Sequence, residues 1–199
     1  MIPQTFIFIG RSGCGKGTQA ELLMEKLKQR SKRPVFHLES GALFRDFVDG
    51  DSYSSQLAKT IIDRGERQPD FLAVWMWAHL LVKNLVEEEH LVLDGTPRAL
   101  AEAMTLDTAM KFYSRERPNV IYLNISPDTS VNRLTSRDRK DDRSVANIAK
   151  KLAWFETSVM PAIEYYKKHP DYNFIEVNGE ESIETIQSNI RQKLNWTDD

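Results

Sequence analysis

The residues Gly10-Arg-Ser-Gly-Cys-Gly-Lys16-Gly-Thr18-Gln19 follow an apolar run at 5–9 and precede an amphipathic stretch. Phosphate binding is the chemistry this pattern suits. The glycines let the backbone curl until its N–H groups converge on phosphate oxygens, at the positive end of the helix that follows. Gly13, Cys14, Gly15, Lys16, Gly17 and Thr18 are therefore expected to hold the phosphates of a nucleoside triphosphate. Lys16 adds a mobile ammonium for the β- and γ-phosphates. The hydroxyl usually found directly after the lysine is displaced by one, with Gly17 in its place. Cys14, the chain's one cysteine, reads as a small residue at a tight turn rather than as a nucleophile.

A second constellation is Leu91-Val-Leu-Asp94-Gly95-Thr96-Pro97-Arg98. An apolar strand ending in aspartate puts a carboxylate at the carboxyl edge of a sheet, where open α/β sheets bind ligands. There Asp94 is expected to reach magnesium through water. Gly95 permits close backbone approach, and Arg98 can fork onto a phosphate. A third group is Glu39-Ser40-Gly41-Ala42-Leu43-Phe44-Arg45, a turn and helix ending in arginine. A fourth is Arg133, Arg137 and Arg139, followed by Asp141 and Asp142. Arg133 and Arg137 are placed four apart on one helix face, which a helix tolerates best when an anion neutralises them. A solvated basic face balanced by the aspartates is the competing reading.

These groups need a frame. Five apolar β-type runs, at 5–10, 35–38, 91–94, 120–125 and 174–177, alternate with helical patterns. That alternation predicts an α/β fold, a doubly wound five-stranded parallel sheet with helices on both faces. Helices are expected at 16–29, 71–86, 147–168 with a kink at Pro161, and 182–194. Trp75, Trp77, Leu80 and Leu81 read as core. Residues 40–70, with breaks at Gly50 and Gly65, read as a small helical insertion. At 199 residues and 41% apolar content the chain makes one domain, 1–199, with a real core. A net charge of −2 gives no general attraction to nucleic acid or an anionic membrane. One cysteine makes neither an internal disulfide nor a zinc site. With no apolar run of spanning length and no signal pattern, a cytoplasmic protein is expected. Whether it is a monomer or a homo-oligomer stays open.

In combination, GRSGCGKGTQ, ESGALFR, DGTPR, RLTSRDRKDD and VNGEESIETI, in this order, resemble the adenylate kinase group of nucleoside monophosphate kinases. The resemblance implies a P-loop fold whose 40–70 insertion binds the monophosphate. It implies a phosphotransferase, ATP + AMP = 2 ADP, using magnesium with ATP. A GMP or pyrimidine monophosphate kinase, or a nucleotide-binding module with weak turnover, are the alternatives. By resemblance, Lys16, Arg98, Arg137, Arg139 and Lys151 are catalytic. Arg133 and the backbone near Gly179 hold the ATP base. Ser40, Arg45, Gln68, Gly95, Arg98 and Glu102 hold the monophosphate. No Asn-Lys-x-Asp base-reading segment of a GTPase is present.

The chain departs from the family pattern in several places. Ser12 replaces a loop proline, Ala42 an aspartate, and Lys151 a transition-state arginine, keeping the charge but losing the planar fork. Only Asp138 separates Arg137 from Arg139, which leaves a vestigial lid at about 134–143, so water must be excluded by something else. Glu102 stands where the family has a glutamine. A carboxylate accepts from adenine N6 but offers no donor to N1, which makes guanine a competitor for the site.

Overall fold

The computed structural model describes residues 2–137 and 144–196. Its sheet has five strands, all parallel: β1 (Thr5–Gly10), β2 (Val35–Glu39), β3 (His90–Asp94), β4 (Asn119–Asn124) and β5 (Asn173–Asn178). The order is β2-β3-β1-β4-β5, which puts β1 in the middle between β3 and β4. Thr5–Ile9 of β1 and the whole of β3 are buried, as expected of strands covered on both faces. Alternation along the strands divides the core in two. Ile7, Ile9, Leu91, Leu93 and Val120 pack with Trp77, Leu81, Leu106 and Tyr166. Phe6, Phe8, Val92, Ile121 and Leu123 face Leu23, Leu27, Ile186 and Ile190.

Helix α1 (Lys16–Arg30) leaves β1 through the glycine-rich loop. Between β2 and β3 lie α2 (Ser40–Val48), α3 (Tyr53–Asp63) and α4 (Asp70–Asn84). Ser52 caps α3 by accepting from the Ser55 N–H at 3.0 Å. Helix α5 (Leu100–Phe112) follows β3, and α6 (Pro127–Thr135) follows β4. The C-terminal helix α9 (Ile183–Lys193) covers β5. Among the described residues no helix is long and apolar enough to cross a membrane.

Three expectations need correction. The 147–168 segment is one unbroken helical run, but it holds a π-helical turn before Pro161 rather than a simple kink at it. α7 (Val145–Trp154) gives way to a π-helical turn (Phe155–Val159), and α8 (Met160–Lys168) begins there. Pro161 lacks an N–H, and its ring crowds the carbonyl four residues back, so the turn before it widens. Trp75 is not core: it is half exposed, tilted against Phe47 and stacked on His79, while Trp77 is 1% exposed. Arg137 does not share a helix face with Arg133, because α6 ends at Thr135 and Ser136 caps it.

Candidate active site

On the donor side, Gly15 caps α1 in a left-handed conformation (φ 92°), and the first turn carries no acidic residue. The helix end therefore offers its N–H groups and its positive dipole to an anion. Cys14 is buried beneath the loop. The Lys16 ammonium donates to the carbonyls of Gly10 (3.0 Å) and Arg11 (2.9 Å), so it lies over the loop. Asp94, at the end of the adjacent strand β3, is buried. A Cβ on Gly17 would sit 3.2 Å from its Oδ2. A larger residue at Gly17 would therefore press on the Asp94 carboxylate, which stands close against the helix start. Burial raises the Asp94 pKa above the ordinary carboxylate value, opposed by Lys16 and Arg98.

On the acceptor side, Ser40 opens α2 and donates to the Gly95 carbonyl at 2.6 Å. Arg98 donates through Nε to the same carbonyl (2.6 Å) and through Nη2 to Ser40 Oγ (3.3 Å). Arg45 is held by Glu39 (2.9 Å) at the end of β2. A Cβ on Gly41 would lie 3.2 Å from Arg45 Nη1 and 3.7 Å from Arg98 Nη2, so two guanidinium groups flank one glycine. Two such groups side by side could fork onto a phosphate. One turn into α5, Glu102 is almost fully buried and pairs with Arg67 Nη1 at 3.2 Å; Arg67 Nη2 also pairs with Asp70 at 2.5 Å. Burial raises the Glu102 pKa, and Arg98 and Arg67 oppose that rise. The Gln68 amide donates to the Ala58 carbonyl (2.8 Å), and its buried Oε1 has no hydrogen-bond partner among the described residues.

Three ties bind these parts together. Arg133 Nη2 donates to the Gly179 carbonyl (2.9 Å), joining α6 to the end of β5. Arg11, inside the phosphate loop, donates to the Ile125 carbonyl (3.2 Å) and pairs with Glu156 (2.5 Å), its guanidinium 4.1 Å above the Phe155 ring. The start of α7 rests on the end of α3. Asn147 donates to the Asp63 carbonyl (3.3 Å), and Lys150 donates to the Arg64 carbonyl (2.7 Å).

A sequence model of the family described as adenylate kinase matches residues 8–171. The chain belongs to the adenylate kinase family. It is 32% identical over 189 residues to an adenylate kinase of Prochlorococcus marinus (strain MIT 9515), covering 94% of this chain and 97% of that protein. It is 31% identical over 193 residues to one from Flavobacterium psychrophilum, with 95% and 97% covered. An adenylate kinase 1 of a Nostoc species is 30% identical over 196 residues, with 94% and 97% covered. The fold is that of this family, and the protein is a phosphotransferase acting on nucleotides.

The structure brings together most of the candidate residues expected from sequence. Lys16, Gly17 and Asp94 lie together where β1 and β3 end, and Ser40, Arg45, Gly95 and Arg98 lie together at the start of α2. Arg133 and Gly179 are joined to each other. Lys151 is half-buried near the end of α7, and Arg137 lies just beyond α6. Arg139 and the segment 138–143 lie outside the described residues. Sequence reasoning missed Arg67, Arg11 and Glu156. Arg67 had no motif to mark it, and Arg11 stood at a loop position where side-chain chemistry is not expected.

Proposed function

We propose that the protein transfers the γ-phosphoryl group of magnesium ATP to AMP, reversibly. The observation that carries this reading is the convergence of Lys16, Asp94 and Arg98 where β1 and β3 end, with Ser40 and Arg45 facing them. In this reading the acceptor phosphate, held by Arg45 and Arg98, attacks the γ-phosphorus with an oxygen that is already anionic. No strong general base is needed. Positioning and charge neutralisation carry the step. Lys16 leaves its loop carbonyls for the phosphates when ATP binds. Arg137, Arg139 and Lys151 add positive charge around the group in flight, and Arg133 and Gly179 hold the ATP base.

The site's residues suit magnesium. One buried carboxylate, Asp94, stands beside the phosphate loop, and magnesium is commonly held by one or two carboxylates plus phosphate oxygens and water. When bound, the ion would neutralise the β- and γ-oxygens; Asp94 would hold its waters.

Water exclusion without a lid domain is assigned to the 40–70 insertion. Its α3 end bears directly on α7 through Asn147 and Lys150, the helix that carries Lys151. A coupled assay of ATP with AMP, GMP, CMP, UMP and dTMP tests the reading. Turnover confined to AMP is the expected result; preference for another acceptor refutes it.

A further inference from the structure

Glu102 by itself fits adenine badly, since it supplies an acceptor and no donor. The side chain placed against it changes that. Arg67 enters from the loop between α3 and α4 and sets Nη1 3.2 Å from Glu102 Oε1. Its other end is fixed by Asp70 at 2.5 Å. A donor and an acceptor therefore stand side by side, held on two different elements, α5 and the end of the insertion. A glutamine amide presents the same pair within one group. We propose that Arg67 and Glu102 together read the acceptor base, the carboxylate accepting from an exocyclic amino group and the guanidinium donating to the neighbouring ring nitrogen. That edge is N6 and N1 of adenine. This inference rests on the AMP reading given above and adds Arg67 as a specificity-determining residue.

The bonding capacity is sufficient. A carboxylate has about four lone-pair sites. Glu102 uses one on Arg67 and one on the backbone N–H of Arg98. A guanidinium has five N–H donors, and the two carboxylates engage Nη1 and Nη2 of Arg67. The location is also right. Glu102 bonds the main chain of Arg98, whose guanidinium forms half of the phosphate clamp, so a base joined to that phosphate through its sugar falls within reach. The Glu102 side chain is 2% exposed and that of Arg67 21%, so the insertion must ease away from α5 to admit a base. The competing role is a structural staple, in which the pair only fastens the insertion to α5.

Steady-state kinetics with AMP, 1-deaza-AMP and GMP separate the two. 1-Deaza-AMP keeps the amino group and replaces N1 with C–H. The wild-type protein is expected to favour AMP over 1-deaza-AMP by about ten- to a hundredfold in kcat/KM, the size expected when a site donor loses its acceptor. In Arg67→Leu that preference should fall to about threefold or less, while the use of GMP rises relative to AMP, because a lone carboxylate suits the N1–H and N2–H2 of guanine. Arg67→Leu with Glu102→Gln removes the unpaired carboxylate and supplies an amide, so AMP selectivity should return. ATP affinity and thermal unfolding establish that each variant is folded. If the folded single variant Arg67→Leu keeps the wild-type ratio of AMP to 1-deaza-AMP, the pair is a staple and the inference is overturned. A double variant that fails to regain AMP selectivity, or a wild type that ignores N1, overturns it as well. A wild type that does not use AMP at all overturns the AMP reading itself.

Discussion

Gly65 and Asn147 touch so closely that a Cβ on Gly65 would lie 2.7 Å from the Asn147 side-chain oxygen. The two belong to different segments, the end of the 40–70 stretch and the first turn of α7. Gly65 also has φ +68°, which L side chains rarely adopt. Conformation and contact thus both favour glycine here, and in the function proposed above this contact is where the insertion closes on the helix carrying Lys151. Lys150 reinforces it by donating to the Arg64 carbonyl.

Gly65→Ala should prevent full closure. We expect kcat to fall about tenfold or more, since small misplacements of reacting groups are costly. Lys150→Ala, which removes the bond to the Arg64 carbonyl, should have the same direction and a smaller size. Stopped-flow fluorescence of Trp75, half exposed on α4 behind the insertion, would report the slower closure. Normal closure and turnover in Gly65→Ala would refute the assignment.

Lys16→Ala and Arg98→Ala should each lower the rate by about a hundredfold or more, because in the proposed function each removes a charge that offsets developing phosphate charge. The two differ in how they should appear. Lys16→Ala acts on ATP, whereas Arg98→Ala also raises the KM of the monophosphate. Near-native turnover in either folded variant would remove that residue from the site.

Arg11→Ala should uncouple the phosphate loop from the π-helical turn. Its guanidinium pairs with Glu156, lies over Phe155 and bonds Ile125, so one side chain spans three segments. The expected outcome is a fall in kcat of about tenfold with ATP binding largely retained. Glu156→Gln, which leaves the ring contact and the Ile125 bond intact, should lose less. Equal loss in ATP affinity and kcat would assign Arg11 to nucleotide binding instead.

Asp94→Asn should stabilise the protein while abolishing most activity. Burial raises the folded-state pKa of Asp94, so the folded state binds this proton more tightly than the unfolded chain does. The associated stability is fully present below the ordinary carboxylate value near 3.8 and is lost as pH rises through the raised folded value. At neutral pH the ionised group opposes folding, and asparagine relieves it by about 0.5–2 kcal/mol. Denaturant unfolding of both proteins at pH 7 and near pH 4 should show the gap shrinking at the lower pH. A gap that widens on acidification would reverse the sign.

The sequence by itself determined the parts whose information is local. The phosphate loop is a fixed spacing of glycines and lysine between an apolar strand and a helix, and it folds as such around Gly15 and Lys16. The strands were legible because residues such as Phe6–Ile9 and Leu91–Leu93 form continuous apolar runs that only a sheet covered on both faces can bury. The place of Asp94 at the carboxyl end of β3 followed from strand direction. Tertiary structure decided everything that depends on pairing between distant segments. Glu102 looked like an unmatched acceptor until the fold set Arg67 against it across 35 residues of chain. Trp75 matched Trp77 in composition and pattern, but α4 buries one face only. Arg11 took its meaning from Glu156, 145 residues away, through a π-helical turn that no periodicity announced. Spacing along the chain fixes which groups share an element; which elements meet is fixed by how the whole core packs.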